Sequence, residues 1–268
     1  MRIATWNVNS IRARVVRTVD FCVREDVDVL LMQEIKCKPE QFPHAQFEEA
    51  GYTVEAHGLN QWNGVAIASR LPVTDVRTSF DGMPGFAKGH EGPDAPLEAR
   101  ALGVMVEGVR VWSLYVPNGR SLDDPHYTYK LAWLEALRGY TADALRQNPD
   151  LALAFTGDFN IAPTDADNGD PTVVEGVSTH VSPPEREAFQ ALLGAGLHDT
   201  VRPLVPTGYT YWDYTAGRFG RNQGMRIDMQ WASPALAEHA GEVNVDKDER
   251  AAKGSSDHAP LIVDYDGI

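Results

Sequence analysis

Residues Leu151 to Pro163 read LALAFTGDFNIAP, an apolar run of strand length that stops at Gly157 and delivers Asp158 and Asn160. The run implies a buried strand over Leu151 to Phe155, a sharp backbone turn at Gly157, and an irregular segment enforced by Pro163. Polar side chains at a strand's carboxyl end occupy the edge where open α/β sheets place ligand sites. A lone D-x-N is most simply an Asx turn. The stronger reading therefore depends on whether other strands end the same way.

Several do. Arg2 to Asn9 reads as a first strand ending in the amides Asn7 and Asn9, and Ser10 can cap a helix with Ile11, Val15, Val19 and Cys22 inward. Val27 to Gln33 is a second apolar strand and delivers Glu34. Further strands are expected at Tyr52 to Ala56, Gly64 to Ser69, Ala99 to Glu107 and Val109 to Val116. The last of these brings Tyr115, Asn118 and Arg120 to another strand end. Helices are expected at His126 to Gln147 and Pro184 to Gly194, and Asp81 to Glu98 reads as a surface loop rich in Gly, Pro and charge. Tyr209 to Tyr214 is aromatic and of strand type, and Met225 to Ala232 alternates with Asp228 inside it. Ser255 to His258, SSDH, precedes a closing strand, Ala259 to Tyr265. With no repeat and no linker composition, residues 1–268 are expected to form a single α/β domain, with many strands joined as hairpins.

Bulk properties bound the function. A chain of 268 residues can build a core without staples, and its two cysteines, Cys22 and Cys37, fit free thiols in a reducing cytosol. The opening MRIATWNVNS is interrupted by polar residues too early for a signal peptide, and no apolar run has membrane-spanning length. A cytoplasmic monomer without membrane contact is expected. The net charge of -14 argues against nucleic acid at face value, since phosphate contacts dominate that affinity. A local field decides binding, however, and Ala216 to Arg226 carries Arg218, Arg221 and Arg226 with no acid.

Collected, the strand-end residues are Asn7, Glu34, Tyr115, Asp158, Asn160, Asp228, Asp257 and His258. Carboxylates and amide oxygens without thiolates suit a hard ion, Mg²⁺ or Mn²⁺, rather than structural zinc. Such an ion acts as a Lewis acid on a phosphoryl oxygen. An Asp-oriented histidine and a carboxylate that positions water would complete a phosphodiester hydrolase.

The order of these motifs, WNVN, LMQE at 31–34, YVPNGR at 115–120, GDFN at 157–160, RID at 226–228 and SDH at 256–258, resembles the exonuclease III type of apurinic/apyrimidinic endonuclease. That type lies within the endonuclease/exonuclease/phosphatase superfamily. LHDTVRP at 197–203 and the Tyr129, Lys130, Trp133 spacing look similar too. The resemblance implies a four-layer α/β sandwich, two facing mixed sheets flanked by helices, with the site at one sheet edge. It implies that Glu34 holds the metal with Asn7 and Asp257 in support, and that Asp158, Asn160 and His258 sit close enough to share it. Asp158 would orient or deprotonate water, Asn160 would hold water or phosphate, and His258 tied to Asp228 would donate to the phosphate beside Tyr115 and Asn118. Tyr211, Trp212, Met225 and Ile227 would wall a pocket for an abasic nucleotide, whose extrusion costs less than that of a stacked base. Arg120, Arg218 and Arg221 would grip the duplex. Asn9 stands where many relatives carry an acid, which leaves one or two ions open.

The implied activity is incision of double-stranded DNA 5′ to abasic sites, with 3′-end trimming. Two other readings stand beside it: a superfamily phosphatase acting on a phospholipid or inositol phosphate, and a catalytically silent DNA-binding module.

Overall fold

The computed structural model describes residues 1–89 and 94–268. Alternation in the strands shows how the layers arise. In β1 (Arg2–Asn7), Ile3 points to one apolar cluster while Ala4 and Trp6 point to another. In β2 (Val29–Gln33), Val29 and Leu31 share Ile3's side, and Leu30 and Met32 the other. Strands apolar on both faces are covered on both faces, and each face here has a different partner.

Among the described residues, twelve strands form two six-stranded sheets. The first has the order β11 (Ala240–Val245), β12 (Leu261–Tyr265), β1, β2, β4 (Val65–Ser69), β3 (Thr53–His57). The second runs β5 (Val73–Arg77), β6 (Ala101–Val106), β7 (Val109–Tyr115), β8 (Leu153–Asp158), β10 (Asp228–Ala232), β9 (His198–Asp199). Ile3, Leu31 and Val65 of one sheet meet Val104, Val111 and Ala154 of the other in the central core. Helices α1 (Ile11–Arg24) and α2 (His44–Glu49) cover the outside of the first sheet, with Phe21 and Phe47 in its outer cluster. Helices α3 (Pro125–Gln147) and α4 (Pro183–Gly194) cover the second, with Trp133, Leu137, Phe189 and Leu192 packed on Phe155 and Trp231. The four-layer architecture expected from the motifs is present.

Each sheet contains one parallel pair, β1 with β2 and β7 with β8, bridged by α1 and α3 respectively. A parallel pair requires such a crossover, whereas the other neighbours are antiparallel. The β6–β7 hairpin turns on Glu107 and Gly108 at φ 47° and 80°, the two positive values a tight hairpin turn needs.

Several local expectations change. The strand starting in LALAF runs through Gly157 to Asp158, so Gly157 is not a turn. It pairs with Leu114, and at its φ of 140° a Cβ would lie 2.0 Å from the Leu114 carbonyl oxygen. Glycine is there because two backbones touch. β1 stops at Asn7, since Asn9 and Ser10 take φ 43° and 84°, and Ser10 makes no side-chain cap on α1. Tyr209 to Tyr214 is not a strand: it makes isolated bridges only, Tyr211 with Met225 and with His258. Asp228 is the first residue of β10 rather than an interior one. Six elements are not expected from the sequence, β5, β9, β11, α2 and the helices Pro234–Ala237 and Lys247–Ala251, all short and mostly exposed or half-buried, where burial imposes no clean periodicity. The loop at 81–98 has no helix or sheet strand among its described residues, and 90–93 lie outside them.

Candidate active site

Both parallel pairs point their carboxyl ends to the same edge of the sandwich, and this assembles the site. Asn7 ends β1 opposite Gln33 of β2, which places Glu34 next to it. Tyr115 ends β7 opposite Asp158 of β8, and Asp228 opens β10 opposite the same Asp158. The SDH segment enters from the other sheet just before β12. Ser256 Oγ donates to the Asn7 carbonyl at 2.6 Å, and the indole of Trp6 donates to the His258 carbonyl at 3.0 Å. The loop is thereby stitched to the end of β1.

At the centre, Asn7 Nδ2 donates to Glu34 Oε1 at 2.8 Å and to Asp158 Oδ2 at 2.9 Å, so one amide bridges two carboxylates. Its Oδ1 accepts from the Asn9 backbone N–H, so Asn7 turns its amide N–H donors toward the two acids. His258 Nδ1 donates to Asp228 Oδ2 at 2.8 Å, and its Nε2 lies 3.8 Å from Asp158 Oδ2. Ligand atoms of Glu34, Asp158 and His258 all lie within 4.8 Å of one another. Asp257 is outside that triple: Asn9 Nδ2 donates to its carboxylate at 3.1 Å. Asn9 also accepts from Lys36 at 2.6 Å, and Lys36 lies 2.8 Å from Glu34, so Glu34 and Asp257 share one side of the molecule.

Electrostatics divides these groups. Burial raises the Asp158 pKa to about 7, with Asp228 and Glu34 pushing the same way and His258 opposing. Burial alone would lower His258, yet Asp228, Asp158 and Asp257 prevail and raise it to about 10. At that pKa it is an imidazolium at neutral pH and donates from both ring nitrogens. Glu34 is lowered: burial opposes ionisation, and Lys36 and the Asn7 amide overcome it. Tyr115 is raised well above its usual range by burial and by Glu34, despite the Arg100 guanidinium 5.0 Å over its ring. Two carboxylates pressed together in a dry site, one of them resisting ionisation, are a donor set that a hard divalent cation fits.

Beside this centre, Asn160 N–H donates to Asp158 Oδ1 at 2.9 Å, and Asn118 Nδ2 donates to Asn160 Oδ1 at 3.2 Å. Sequence reasoning missed His180. Its Nε2 lies 3.0 Å from Asn160 Oδ1 and 3.2 Å from Asn118 Nδ2, while Thr179 Oγ1 contacts its Nδ1 at 2.9 Å. Burial, followed by Lys130, lowers its pKa to about 4, so the ring is neutral. Its φ of 78° is left-handed, a signal that only the backbone carries.

The expected pocket is assembled in part. Tyr211 lies against His258 with ring centroids 4.9 Å apart and packs on the buried cluster of Met225, Ile227, Ala162 and Val181. Trp212 points elsewhere, because successive side chains of an extended segment face opposite ways. It is fully buried, edge-on to Phe219 at 5.2 Å, with the Lys247 ammonium 5.3 Å from its ring. Arg218 is not free for a phosphate: it is buried, bonded to Gln223 and Thr172, and paired with Asp170 at 3.3 Å. Arg221 is exposed and donates to the Ala216 carbonyl. Arg120 is exposed at the rim with φ 61°, 3.8 Å from Asp124 and 5.7 Å from the Phe86 ring centroid.

This chain is 30% identical to the exodeoxyribonuclease III of Haemophilus influenzae, over 99% of this chain and 100% of that protein. Among solved structures it matches the 3′ phosphatase NExo from Neisseria, bound to a product DNA hairpin, with a TM-score of 0.90 and 37% identity over 99% of each chain. It matches an AP endonuclease from Archaeoglobus fulgidus with a TM-score of 0.89 and 34% identity, again over 99% of each chain. Residues 4–258, from β1 to the histidine of the SDH segment, fit the Endonuclease/Exonuclease/phosphatase family, and the chain belongs to that family.

Proposed function

We propose that this chain is a Mg²⁺-dependent DNA-repair nuclease that trims blocked 3′ ends and hydrolyses the phosphodiester 5′ to abasic sites in double-stranded DNA, working as a monomer with residues 1–268 as one catalytic unit. The observation that carries the reading is the line Asp228, His258, Asp158 facing Glu34 at one sheet edge. Glu34 and Asp158 would hold the divalent cation, which supplies Lewis-acid polarisation of the phosphate when bound. Asp158, kept partly protonated near neutrality, is suited to orient a water and take its proton. The His258 imidazolium, fixed by Asp228, offers Nε2–H to the oxygen where negative charge grows. Asn118 and Asn160 offer amides to the remaining phosphate oxygens beside Tyr115. Tyr211, Met225 and Ile227 give an apolar wall for an extruded sugar, and Arg120 and Arg221 are the exposed cations for the backbone.

A second reading, specialisation on the terminal 3′ phosphate, is favoured by the likeness to the Neisseria 3′ phosphatase. The same groups serve either bond, since both reactions transfer a phosphoryl group to water. One gel assay tests both, comparing an abasic duplex, a recessed 3′-hydroxyl duplex and the same duplex ending in 3′ phosphate, with Mg²⁺, Mn²⁺ or EDTA. Mg²⁺-dependent cleavage of the abasic duplex supports the first reading, and phosphate release without abasic incision selects the second. Inertness on all three refutes both.

A further inference from the structure

Lys130 of α3 and Glu185 of α4 have fully buried side chains that form an ion pair. The ammonium also donates to the backbone carbonyls of Asn160, at 2.7 Å, and Asn118, at 3.3 Å. A lysine has three N–H donors, and all three are thereby used. Glu185 accepts from the backbone N–H of His180 at 2.9 Å and from Ser182 N–H and Oγ at 3.1 and 2.6 Å. Asn160 and His180 both hold left-handed backbones, φ 52° and 78°, and their side chains meet at 3.0 Å. The pair thus grips, through their backbones, two strained residues and the amide between them.

The charge pairing by itself is a weak reason for stability, although the pair also satisfies buried backbone groups of Asn118, Asn160, His180 and Ser182. Apolar residues of similar volume replace a buried ion pair with little or no loss, and often with a gain. Strained conformations persist only where the surroundings over-determine them, and they cluster at functional sites.

We propose that the Lys130–Glu185 pair is a positioning device that sets Asn118, Asn160 and His180 against the reacting phosphate. The inference rests on the nuclease reading of the site, in which those amides face phosphate oxygens. Neither Lys130 nor Glu185 touches substrate; they act through the two carbonyls and the His180 N–H.

The test is the Lys130→Met/Glu185→Leu double variant in the full chain, which removes both charges together but leaves the Asn118 and Asn160 carbonyls and the His180 and Ser182 N–H groups without these partners, so it is expected to fold with a lowered melting temperature. On 3′-recessed and 3′-phosphate duplexes its kcat is expected to fall about 10- to 100-fold, with KM altered less than about threefold, because misplacement by an ångström acts on the reacting geometry. Lys130→Arg, which keeps the charge, is expected to recover part of the loss. A folded double variant with wild-type kcat, or a loss confined to KM, overturns the proposal. Should the double variant not fold, Lys130→Gln/Glu185→Gln, which keeps hydrogen-bonding groups at both positions and leaves no unpaired charge, carries the same expectations. The NMR signals of the Asn118 and Asn160 side-chain amides report the positioning whether or not DNA is cleaved: they are expected to shift and lose dispersion in the variant, and unchanged signals overturn the proposal. Inertness of the wild type would count against the nuclease reading alone, leaving those signals to decide the pair's role.

Discussion

Replacing Asp228 by asparagine removes the anion that keeps His258 charged. The two side chains are both buried and 2.8 Å apart, and Asp228 is the largest of the charges raising the imidazole from 6.5 to about 10. At pH 7, three units below that value, about one site in 10³ is neutral in the wild type. In Asp228→Asn the burial that lowers the pKa faces only the more distant carboxylates. A return to 6.5 would represent on the order of 5 kcal/mol of lost preference for the charged ring. The charged donor then disappears over the neutral range, and kcat is expected to fall about 10²- to 10⁴-fold at pH 8, as when an oriented donor or its orienting acid is removed. The assay is kcat for Mg²⁺-dependent cleavage from pH 6 to 9.5, with circular dichroism to confirm folding. Wild-type activity should show no loss from this group below about pH 9, whereas the variant should lose activity as pH rises through roughly 6 to 8. A folded variant with a profile parallel to the wild type would refute the assignment of His258 as a charged donor.

Glu34→Ala should lower cleavage by orders of magnitude while the fold persists, and thermal shift separates the cause: millimolar Mg²⁺ should raise the wild-type melting temperature and leave the variant unmoved. Gly157→Ala places a methyl against the Leu114 carbonyl at a left-handed φ, so a loss of several kcal/mol, read as a lower denaturant midpoint or insoluble protein, is expected. A midpoint equal to the wild type would mean that β7 and β8 can separate without penalty. Burial, followed by Arg100 and Arg120, lowers His126 to about 4, and its Nδ1 accepts from Gly119 N–H at 3.1 Å. The unfolded chain binds the proton first, so this contribution is full above pH 6.5 and is lost as pH falls from 6.5 toward 4. His126→Gln should flatten that part of the stability curve in urea titrations at pH 7, 5.5 and 4.5; an unchanged slope would exonerate His126.

What the chain determines by itself is the set of strand ends and the residues they carry. Mostly apolar runs of strand length stopping at Asn7, Glu34, Tyr115 and Asp158 are local patterns, because burial on both faces leaves room for few polar side chains, such as Thr5, Ser113 and Thr156, until the sheet ends. The motif order then implied the sandwich, and the layers are there. Short exposed elements such as β5 and β11 were invisible because no core face disciplines their composition. Tertiary structure alone decided how the ends converge. Two parallel pairs from different sheets share an edge, and only that juxtaposition brings Asp228 to His258 and Asn7 to Asp158. It also decided which of two adjacent aromatics, Tyr211 or Trp212, faces the site, and that Arg218 is a strut rather than a free cation. His180 and the Lys130–Glu185 pair were beyond sequence reasoning for the same reason: hydrogen bonds between residues 20 to 62 positions apart leave no periodic trace, and a left-handed φ on a histidine has no compositional signature.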